Sequence, residues 1–172
     1  MSVTAWRSRL KNAAAVKSSE VGMMLTFRAV TTQDLETVAP LIHRADPFGW
    51  TMQNLQSALA SGWTVTAAQA EGTIVGCAVV MQVIDEAELL EIAVDPVHQG
   101  KGFGKALLAQ VLAAARARAV RLMRLEVRIG NERALKMYEK AGFKRVGLRR
   151  GYYPTAAGRE DAVLMDADLT VR

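Results

Sequence analysis

The sequence has little of what disulfide frameworks, metal sites and membrane spans require. It contains one cysteine, Cys77, so no internal disulfide is expected, and this scarcity is typical of a reducing, cytoplasmic setting. It contains two histidines and no cluster with metal-ligand spacing, so no metal is expected. No run approaches the roughly 18 apolar residues of a membrane helix, so no membrane contact is expected. Cys77 lies in an apolar stretch, residues 74–80, which favours a buried thiol over a nucleophile.

Charge is distributed unevenly along the chain, whose net charge is +5. Residues 23–95 carry two basic against nine acidic residues, whereas residues 96–172 carry 16 basic against seven acidic residues. This asymmetry fits a domain that holds a polyanion on one side and a cationic partner on the other, or it has no functional meaning. The basic residues form no compact run with interleaved aromatic residues, so direct nucleic-acid binding is not expected.

The chain of 172 residues fits one domain, predicted over residues 23–172. Residues 1–22 are a basic extension, either disordered or the result of a mis-assigned start ahead of Met23 or Met24. Hydrophobic periodicity predicts a mixed α/β fold with antiparallel hairpins at both ends. The predicted strands are 25–30, 63–70, 74–83, 88–94, 121–128, 143–148 and 160–169, with a turn at Glu71 and Gly72 between the second and the third. The predicted helices run from an N-cap at Thr32 to about Arg44, with the apolar residues on one face, then over about 51–60, 105–118 and 131–141.

The most informative segment follows the fourth predicted strand, and we call it the glycine loop: Gln99, Gly100, Lys101, Gly102, Phe103, Gly104 and Lys105. A strand, a glycine-rich turn and a helix start together favour an anion site, because glycine lets the backbone approach a ligand and the first helical N–H groups point outward. The spacing matches neither a nucleoside triphosphate loop nor the dinucleotide fingerprint. A tight turn without a ligand is the alternative.

Two further segments carry a resemblance. Gln99-x-x-Gly102-x-Gly104 together with Asn131-x-x-Ala134-x-x-x-Tyr138-x-x-x-Gly142-Phe143 resembles the GCN5-related N-acetyltransferase (GNAT) family over residues 25–169. The resemblance implies a central, mixed, mostly antiparallel sheet that is flanked by about four helices and splayed at an acetyl-coenzyme A site. It implies that the glycine loop, Ile92, Ala93, Val94 and Asn131 bind this co-substrate, with the backbone near residues 92–94 meeting the thioester oxygen.

The resemblance also implies two catalytic roles. Glu126 matches the family's general base, although alternation along its strand also fits a solvated carboxylate paired with Arg124 and Arg128. Tyr138 matches the general acid that protonates the leaving thiolate, although its helical position also fits a core tyrosine. Transfer would be direct, so Cys77 is not needed as a nucleophile, and Asn131 can serve both as an N-cap and as a co-substrate contact.

Within the family, Tyr152-Tyr153-Pro154-Thr155 and Gly158-Arg159-Glu160-Asp161 resemble the bacterial ribosomal-protein-alanine N-acetyltransferases. These act on the N-terminal alanine of the basic small-subunit ribosomal protein eighteen. Acceptor contacts are expected at Glu91, Tyr152 and Tyr153, and the acids from Asp85 to Glu91 either attract a cationic peptide or solvate a hairpin edge. Two residues depart from the pattern: Gly100 removes one phosphate partner, and Gly49 is expected to loosen the acceptor-side loop. A small-molecule amine as acceptor and an inactive coenzyme-A-binding module are the alternatives.

Overall fold

The computed structural model describes residues 16–17 and 24–170, with side chains from residue 24 onward. The expectations for residues 1–22 therefore lie almost wholly outside the described residues. The chain forms two compact units. The first comprises the described residues up to Val80 together with Glu91–Val111, and the second comprises Met81–Leu90 and the residues from Leu112 onward. Two strands and one helix continue from one unit into the other. That residues 23–172 fold as one domain stays a prediction.

The first unit is built on antiparallel strands in the order β1-β2-β3-β4. These are β1 (Val16–Lys17), β2 (Met24–Ala29), β3 (Thr64–Ala70) and β4 (Thr73–Val83). Strand β2 lies where a strand was predicted, and Leu25 and Phe27, on one face of it, are fully buried. The predicted turn at Glu71 and Gly72 is confirmed, because both residues adopt positive φ between β3 and β4.

Two helices of the first unit separate β2 from β3. Helix α1 spans Leu35–Ala45 and buries the predicted apolar face, and α2 spans Met52–Ala60 behind an N-cap at Thr51. The predicted N-cap at Thr32 is wrong. Thr32 begins a 3-10 turn, Thr32–Asp34, and the capping residue is Thr31, whose N–H and hydroxyl both donate to Asp34 Oδ2 at 2.7 and 2.9 Å.

The second unit contains the start of β5 (Glu86–Val94), then β6 (Leu122–Arg128), β8 (Gly158–Asp168) and β7 (Lys144–Thr155) in this spatial order. The β5–β6 pair is parallel, whereas β6–β8 and β8–β7 are antiparallel, so the predicted mixed, mostly antiparallel arrangement is confirmed. The predicted alternation of β6 is also confirmed, because Met123, Leu125 and Val127 are buried. The predicted splay of the sheet stays a prediction.

Helix α3 (Phe103–Ala117) begins two residues earlier than predicted, and α4 (Glu132–Lys140) lies where it was predicted. Asn131 caps α4 by accepting the Ala134 N–H at 3.1 Å, and Gly142 ends it at φ +99°. The described residues thus contain the four α-helices that were expected. None of these helices is long and apolar enough to cross a membrane.

Strand β7 differs from its prediction. We predicted a strand over 143–148 and a connection through Tyr152, Tyr153 and Pro154, but β7 continues to Thr155. Its register against β8 shifts twice, between Arg145 and Gly147 and between Arg149 and Tyr153. These irregularities break the hydrophobic alternation that reveals a strand, and Gly151 supplies a positive φ of 55° within the second one.

Candidate active site

In the first unit, β5 ends in a segment with fixed side-chain and backbone contacts. Ala93 is buried, and Gln99 Nε2 donates back to the Val94 carbonyl at 3.0 Å. Asp95 follows β5, and its Oδ1 accepts the Val97 N–H at 3.2 Å, which caps the 3-10 turn Pro96–His98. The backbone that leads into the glycine loop is therefore held in one conformation.

The glycine loop has the geometry of an anion cradle. Gly100 and Gly102 adopt φ values of +80° and +77°, in the left-handed region that favours glycine. A Cβ added at Gly100 would meet nothing within 4 Å, so the space above the loop is open. Gly100 is expected to remove one phosphate partner, where an arginine or glutamine would otherwise stand. Its backbone conformation is one that a larger residue would strain.

The start of α3 presents backbone donors beside this loop. The first bond of the helix runs from the Ala106 N–H to the Gly102 carbonyl at 3.0 Å, so the N–H groups of Phe103, Gly104 and Lys105 precede the intrahelical ladder. The Phe103 side chain is buried and stacks on His98 with ring centroids 6.2 Å apart, so it anchors the loop. Lys101 Nζ lies 3.4 Å from His98 Nδ1, and Lys105 is exposed.

Glu91 of β5 and Cys77 of β4 lie close to each other. The Trp50 N–H donates to Glu91 Oε2 at 3.3 Å, so the predicted acceptor residue contacts the connection between α1 and α2. Cys77 is completely buried, as predicted. Burial raises the pKa of the Cys77 thiol, and the nearby Glu91 charge raises it further, so this cysteine is a poor nucleophile.

The connection between α1 and α2, residues 46–51, is ordered by its own hydrogen bonds. The Gly49 N–H donates to the Asp46 carbonyl at 2.9 Å, and the Phe48 N–H donates to Asp46 Oδ1 at 2.9 Å. A Cβ at Gly49 would lie 2.8 Å from Ile42 Cγ2. The glycine therefore permits a close approach to α1, and the expectation that it loosens this loop stays a prediction.

In the second unit, Glu126 is a partly shielded carboxylate, with its side chain 17% exposed. Its ion-pair partner is Arg149 of β7, at 3.0 Å between Nη2 and Oε1. Arg124 pairs with Glu86 and Asp166, and Arg128 lies 3.7 Å from Glu160; the expected pairing of Glu126 with these two arginines stays a prediction. The sequence does not indicate Arg149 as a partner of Glu126, because β8 lies between β6 and β7 and only the strand register shows which of their residues are close.

Tyr152 and Tyr153 lie beside Glu126. The Tyr153 hydroxyl donates to the Glu126 carbonyl at 3.1 Å, and the two tyrosine rings meet edge to face with centroids 4.9 Å apart. The Arg128 guanidinium lies 4.5 Å from the centroid of Tyr153, and that of Arg149 lies 4.6 Å from the centroid of Tyr152. The structure therefore brings together Glu126 and both predicted acceptor tyrosines.

The segment from Gly158 to Asp161 holds the irregular part of β7 in place. Asp161 Oδ1 accepts the Gly151 N–H at 2.7 Å, and Arg159 donates to the carbonyls of Gly151 and Tyr152. Glu160 Oε1 accepts the Gly130 N–H at 2.7 Å. Asp161 and Arg159 thus join the second of the two motifs to the backbone of Gly151 and Tyr152, at the start of the first.

Tyr138 lies on α4 and is buried, with its ring edge against Phe143 at 5.7 Å between centroids. This burial fits a core tyrosine, and a hydroxyl at the end of a buried ring also fits a proton donor. The catalytic role of Tyr138 stays a prediction, as does a co-substrate contact for Asn131.

Two acids of the stretch from Asp85 to Glu91 form ion pairs with arginines at the start of β6 or just before it. Arg121 lies 3.7 Å from Asp85, and Arg124 contacts Glu86 at 2.7 Å. These pairs favour the structural interpretation of both acids. The described residues contain no group of three or more His, Cys, Asp or Glu that could hold a metal ion.

Comparison with known proteins identifies the family. The sequence model of the Acetyltransferase (GNAT) family matches residues 30–143.

The chain belongs to the GNAT family. The Escherichia coli K12 protein named [Ribosomal protein bS18]-alanine N-acetyltransferase is 37% identical over 148 residues, which cover 86% of this chain and 100% of that protein. The Mycobacterium tuberculosis N-alpha-acetyltransferase RimI is 42% identical over 105 residues, 59% of this chain and 63% of that protein.

A solved structure supports the same conclusion. The crystal structure of the ribosomal-protein-S18-alanine N-acetyltransferase from E. coli superposes with a TM-score of 0.81 at 36% identity, and covers 85% of this chain and 94% of that one. The resemblance found in the sequence, the GNAT fold and acetyltransferase activity are thereby confirmed. The family uses acetyl-coenzyme A as its acetyl donor.

Proposed function

We propose that this protein transfers acetyl from acetyl-coenzyme A to the α-amino group of the N-terminal alanine of ribosomal protein bS18. The observation that carries the proposal is the 37% identity to the E. coli enzyme of that name over that enzyme's whole length. The contacts around Tyr152 and Tyr153 beside Glu126 support it, because they are made by the motifs that resembled this group of enzymes. The reaction would take place in the cytoplasm, where the free ribosomal protein and the acetyl donor are both present.

The glycine loop fits the pyrophosphate of the donor. Two glycines at positive φ, an open surface above Gly100 and the first N–H groups of α3 provide backbone donors, and Lys101 and Lys105 add positive charge. Residues Ile92, Ala93 and Val94 would lie along the pantetheine arm and direct a backbone N–H toward the thioester oxygen. When bound, the donor supplies the activated acetyl group.

Glu126 and Tyr138 would move the protons. An N-terminal α-amino group has a pKa near 8, about two units below lysine, so a carboxylate acting through a water is sufficient to accept its proton. Glu126 takes that proton as the amine nitrogen bonds to the acetyl carbon. Tyr138 gives its hydroxyl proton to the sulfur as the carbon–sulfur bond breaks, and later regains one from solvent.

One assay distinguishes the proposed function from a small-amine acetyltransferase and from an inactive coenzyme-A-binding module. Purified protein is incubated with acetyl-coenzyme A and a peptide carrying the bS18 N-terminus, a matched peptide beginning with Ser, or spermidine. Acetylation of the Ala peptide well above the other two is expected. Activity on spermidine alone would replace the protein acceptor with a small amine, and coenzyme A binding without turnover on any amine would indicate an inactive module.

Tyr138→Phe tests the assigned acid. The ring and its contact with Phe143 remain, so coenzyme A affinity should not change, while kcat should fall by about 100-fold, the lower end for a lost proton donor. Glu126→Gln should act similarly on kcat. Wild-type turnover in the Tyr138→Phe variant would remove Tyr138 from the mechanism.

A further inference from the structure

We propose that Arg44, at the end of α1, is a positioning residue that ties the connection between α1 and α2 to the end of β5 through Asp95, and thereby governs acceptor binding. The inference rests on the proposed function, since it takes the connection to be the acceptor side of the site. It assigns no chemical step to Arg44.

The contact is made by two nitrogens of one guanidinium on one carboxylate oxygen. Arg44 Nε and Nη2 both donate to Asp95 Oδ2, the first at 3.2 Å. Asp95 is 8% exposed, and the hydrogen bond from Arg44 lowers the pKa of its carboxyl group. A shielded, charge-assisted contact of this kind is among the stronger ones available to a protein.

Arg44, at the end of α1, and Trp50, in the connection, make contacts on both sides of residues 92–94. At one end, the Trp50 N–H donates to Glu91. At the other, Arg44 holds Asp95. The segment proposed to lie along the donor is therefore bracketed by two contacts from the segment that precedes α2.

Loss of this ion pair should affect the position of Asp95 less than the position of the segment before α2. Asp95 retains other restraints, because its N–H donates to the Val75 carbonyl at 3.0 Å, its carbonyl accepts the His98 N–H at 2.8 Å, and its Oδ1 caps Val97. Removal of Arg44 takes away the contact between the end of α1 and the residue that follows β5, and leaves the Trp50–Glu91 bond. Removal should therefore disturb the acceptor side much more than the glycine loop.

The other end of α1 offers a matched control. Arg28 donates to both oxygens of Asp34 at 2.7 Å, and this pair resembles the first in side-chain exposure, 36% and 14% against 52% and 11%. The eleven residues of α1 place the two pairs about 15 Å apart along the helix. Arg28 also donates to Gln69 Oε1 and to the Ala29 carbonyl, so its loss should cost at least as much stability as the loss of Arg44. Of the two pairs, only Arg44–Asp95 includes the residue that follows β5, ahead of the glycine loop.

The experiment measures both Michaelis constants, for the acceptor peptide and for acetyl-coenzyme A, in Arg44→Met, Arg28→Met and wild type. In Arg44→Met the KM for the acceptor should rise about tenfold, the factor that about 1.4 kcal/mol of binding free energy produces. The KM for acetyl-coenzyme A should stay within about twofold, and Arg28→Met should leave both within about twofold, in the range of ordinary surface substitutions. Equal rises in both constants, or the same split in Arg28→Met, would overturn the inference.

Two more variants keep the test valid if Arg44→Met folds poorly. Arg44→Lys retains the charge but not the paired donors, so its KM for the acceptor should lie between wild type and Arg44→Met. Asp95→Asn should reproduce the Arg44→Met split, and the double variant should be no worse than either single one, because both remove the same contact. Independent, additive effects would contradict it.

A readout without turnover separates this inference from the proposed function. Trp50 lies on the connection with its ring 6.2 Å from Trp63, so coenzyme A titration should change tryptophan emission in wild type and Arg28→Met, but much less in Arg44→Met. A Trp50→Phe variant identifies the part of the signal that Trp50 contributes. If wild type acetylates no offered acceptor yet shows this pattern, the proposed function fails and the coupling stands. An emission response identical in all variants, or absent from wild type, refutes the coupling.

Discussion

For Gly76→Ala, local strand propensity and packing predict opposite effects on stability. Gly76 lies within β4, and glycine in a strand is less favourable than alanine by about 0.5–1 kcal/mol, so propensity alone predicts stabilisation. The structure predicts the reverse. A Cβ at this position would lie 2.8 Å from the Ala93 carbonyl oxygen and 3.3 Å from Val94 Cγ2.

The size of the effect follows from what must move. The atom met first belongs to the backbone of β5, which cannot rotate away as a side chain can. Overpacking of this kind costs about 1–3 kcal/mol, and the propensity gain offsets less than 1 kcal/mol of it, so we expect a net loss of about 1–2 kcal/mol. Because residues 92–94 shift with Ala93, acetyl-coenzyme A affinity should fall as well.

Urea unfolding followed by circular dichroism measures the change, with Gly147→Ala as a matched control. Gly147 also lies in a strand, but its added Cβ would meet only Leu164 atoms at 3.8 Å and beyond, so this variant should equal or exceed wild type in stability. Opposite signs for the two variants are the expected result. A Gly76→Ala protein as stable as wild type would show that β5 does not approach β4 as closely as described.

Three further predictions concern charge, backbone strain and the thiol. Hydrogen bonds from their arginine partners lower the pKa values of Asp34 and Asp95, so the stability they contribute is present above the ordinary carboxyl pKa near 3.9 and is lost as pH falls below it. Urea unfolding between pH 7 and pH 3 checks this, and a flat profile would contradict it. Ile84 adopts φ +56° with its side chain 88% exposed, so Ile84→Asn should raise the free energy of unfolding by about 1 kcal/mol, and a loss would refute the strain. Native Cys77 should react with a thiol reagent only after unfolding, and Cys77→Ala should retain full kcat; rapid native labelling would show that the thiol is accessible.

Local chemistry made much of the fold predictable. The turn at Glu71 and Gly72, the cap at Asn131 and the alternation of β6 follow from neighbours in sequence, and each is confirmed. The cap predicted at Thr32 lies one residue earlier, at Thr31 ahead of a 3-10 turn, because Thr31 and Thr32 are equivalent caps until the partner Asp34 is assigned.

The candidate site was less predictable where it depends on contacts across strands. The pairing of Glu126 with Arg149 requires a side chain to pass over β8, where the small Ala162 lies opposite Arg149 in the register. The pairing of Arg44 with Asp95 joins residues 51 positions apart. No periodicity along one element indicates either contact.

The outer position of β7 has a consequence for how the protein behaves in concentrated solution. In the described part of the second unit no strand lies beyond β7, and Val146 and Leu148 are exposed on it, 58% and 50% respectively. Such an edge can add the edge of another molecule, strand by strand, and so begin aggregation. The register shifts of β7 and its basic residues, Lys144, Arg145, Arg149 and Arg150, oppose this by bending and charging the edge. Arg149, which contacts Glu126 and Tyr152 in the candidate site, would then also help to keep the protein monodisperse, and neutralising it would favour precipitation as well as loss of turnover.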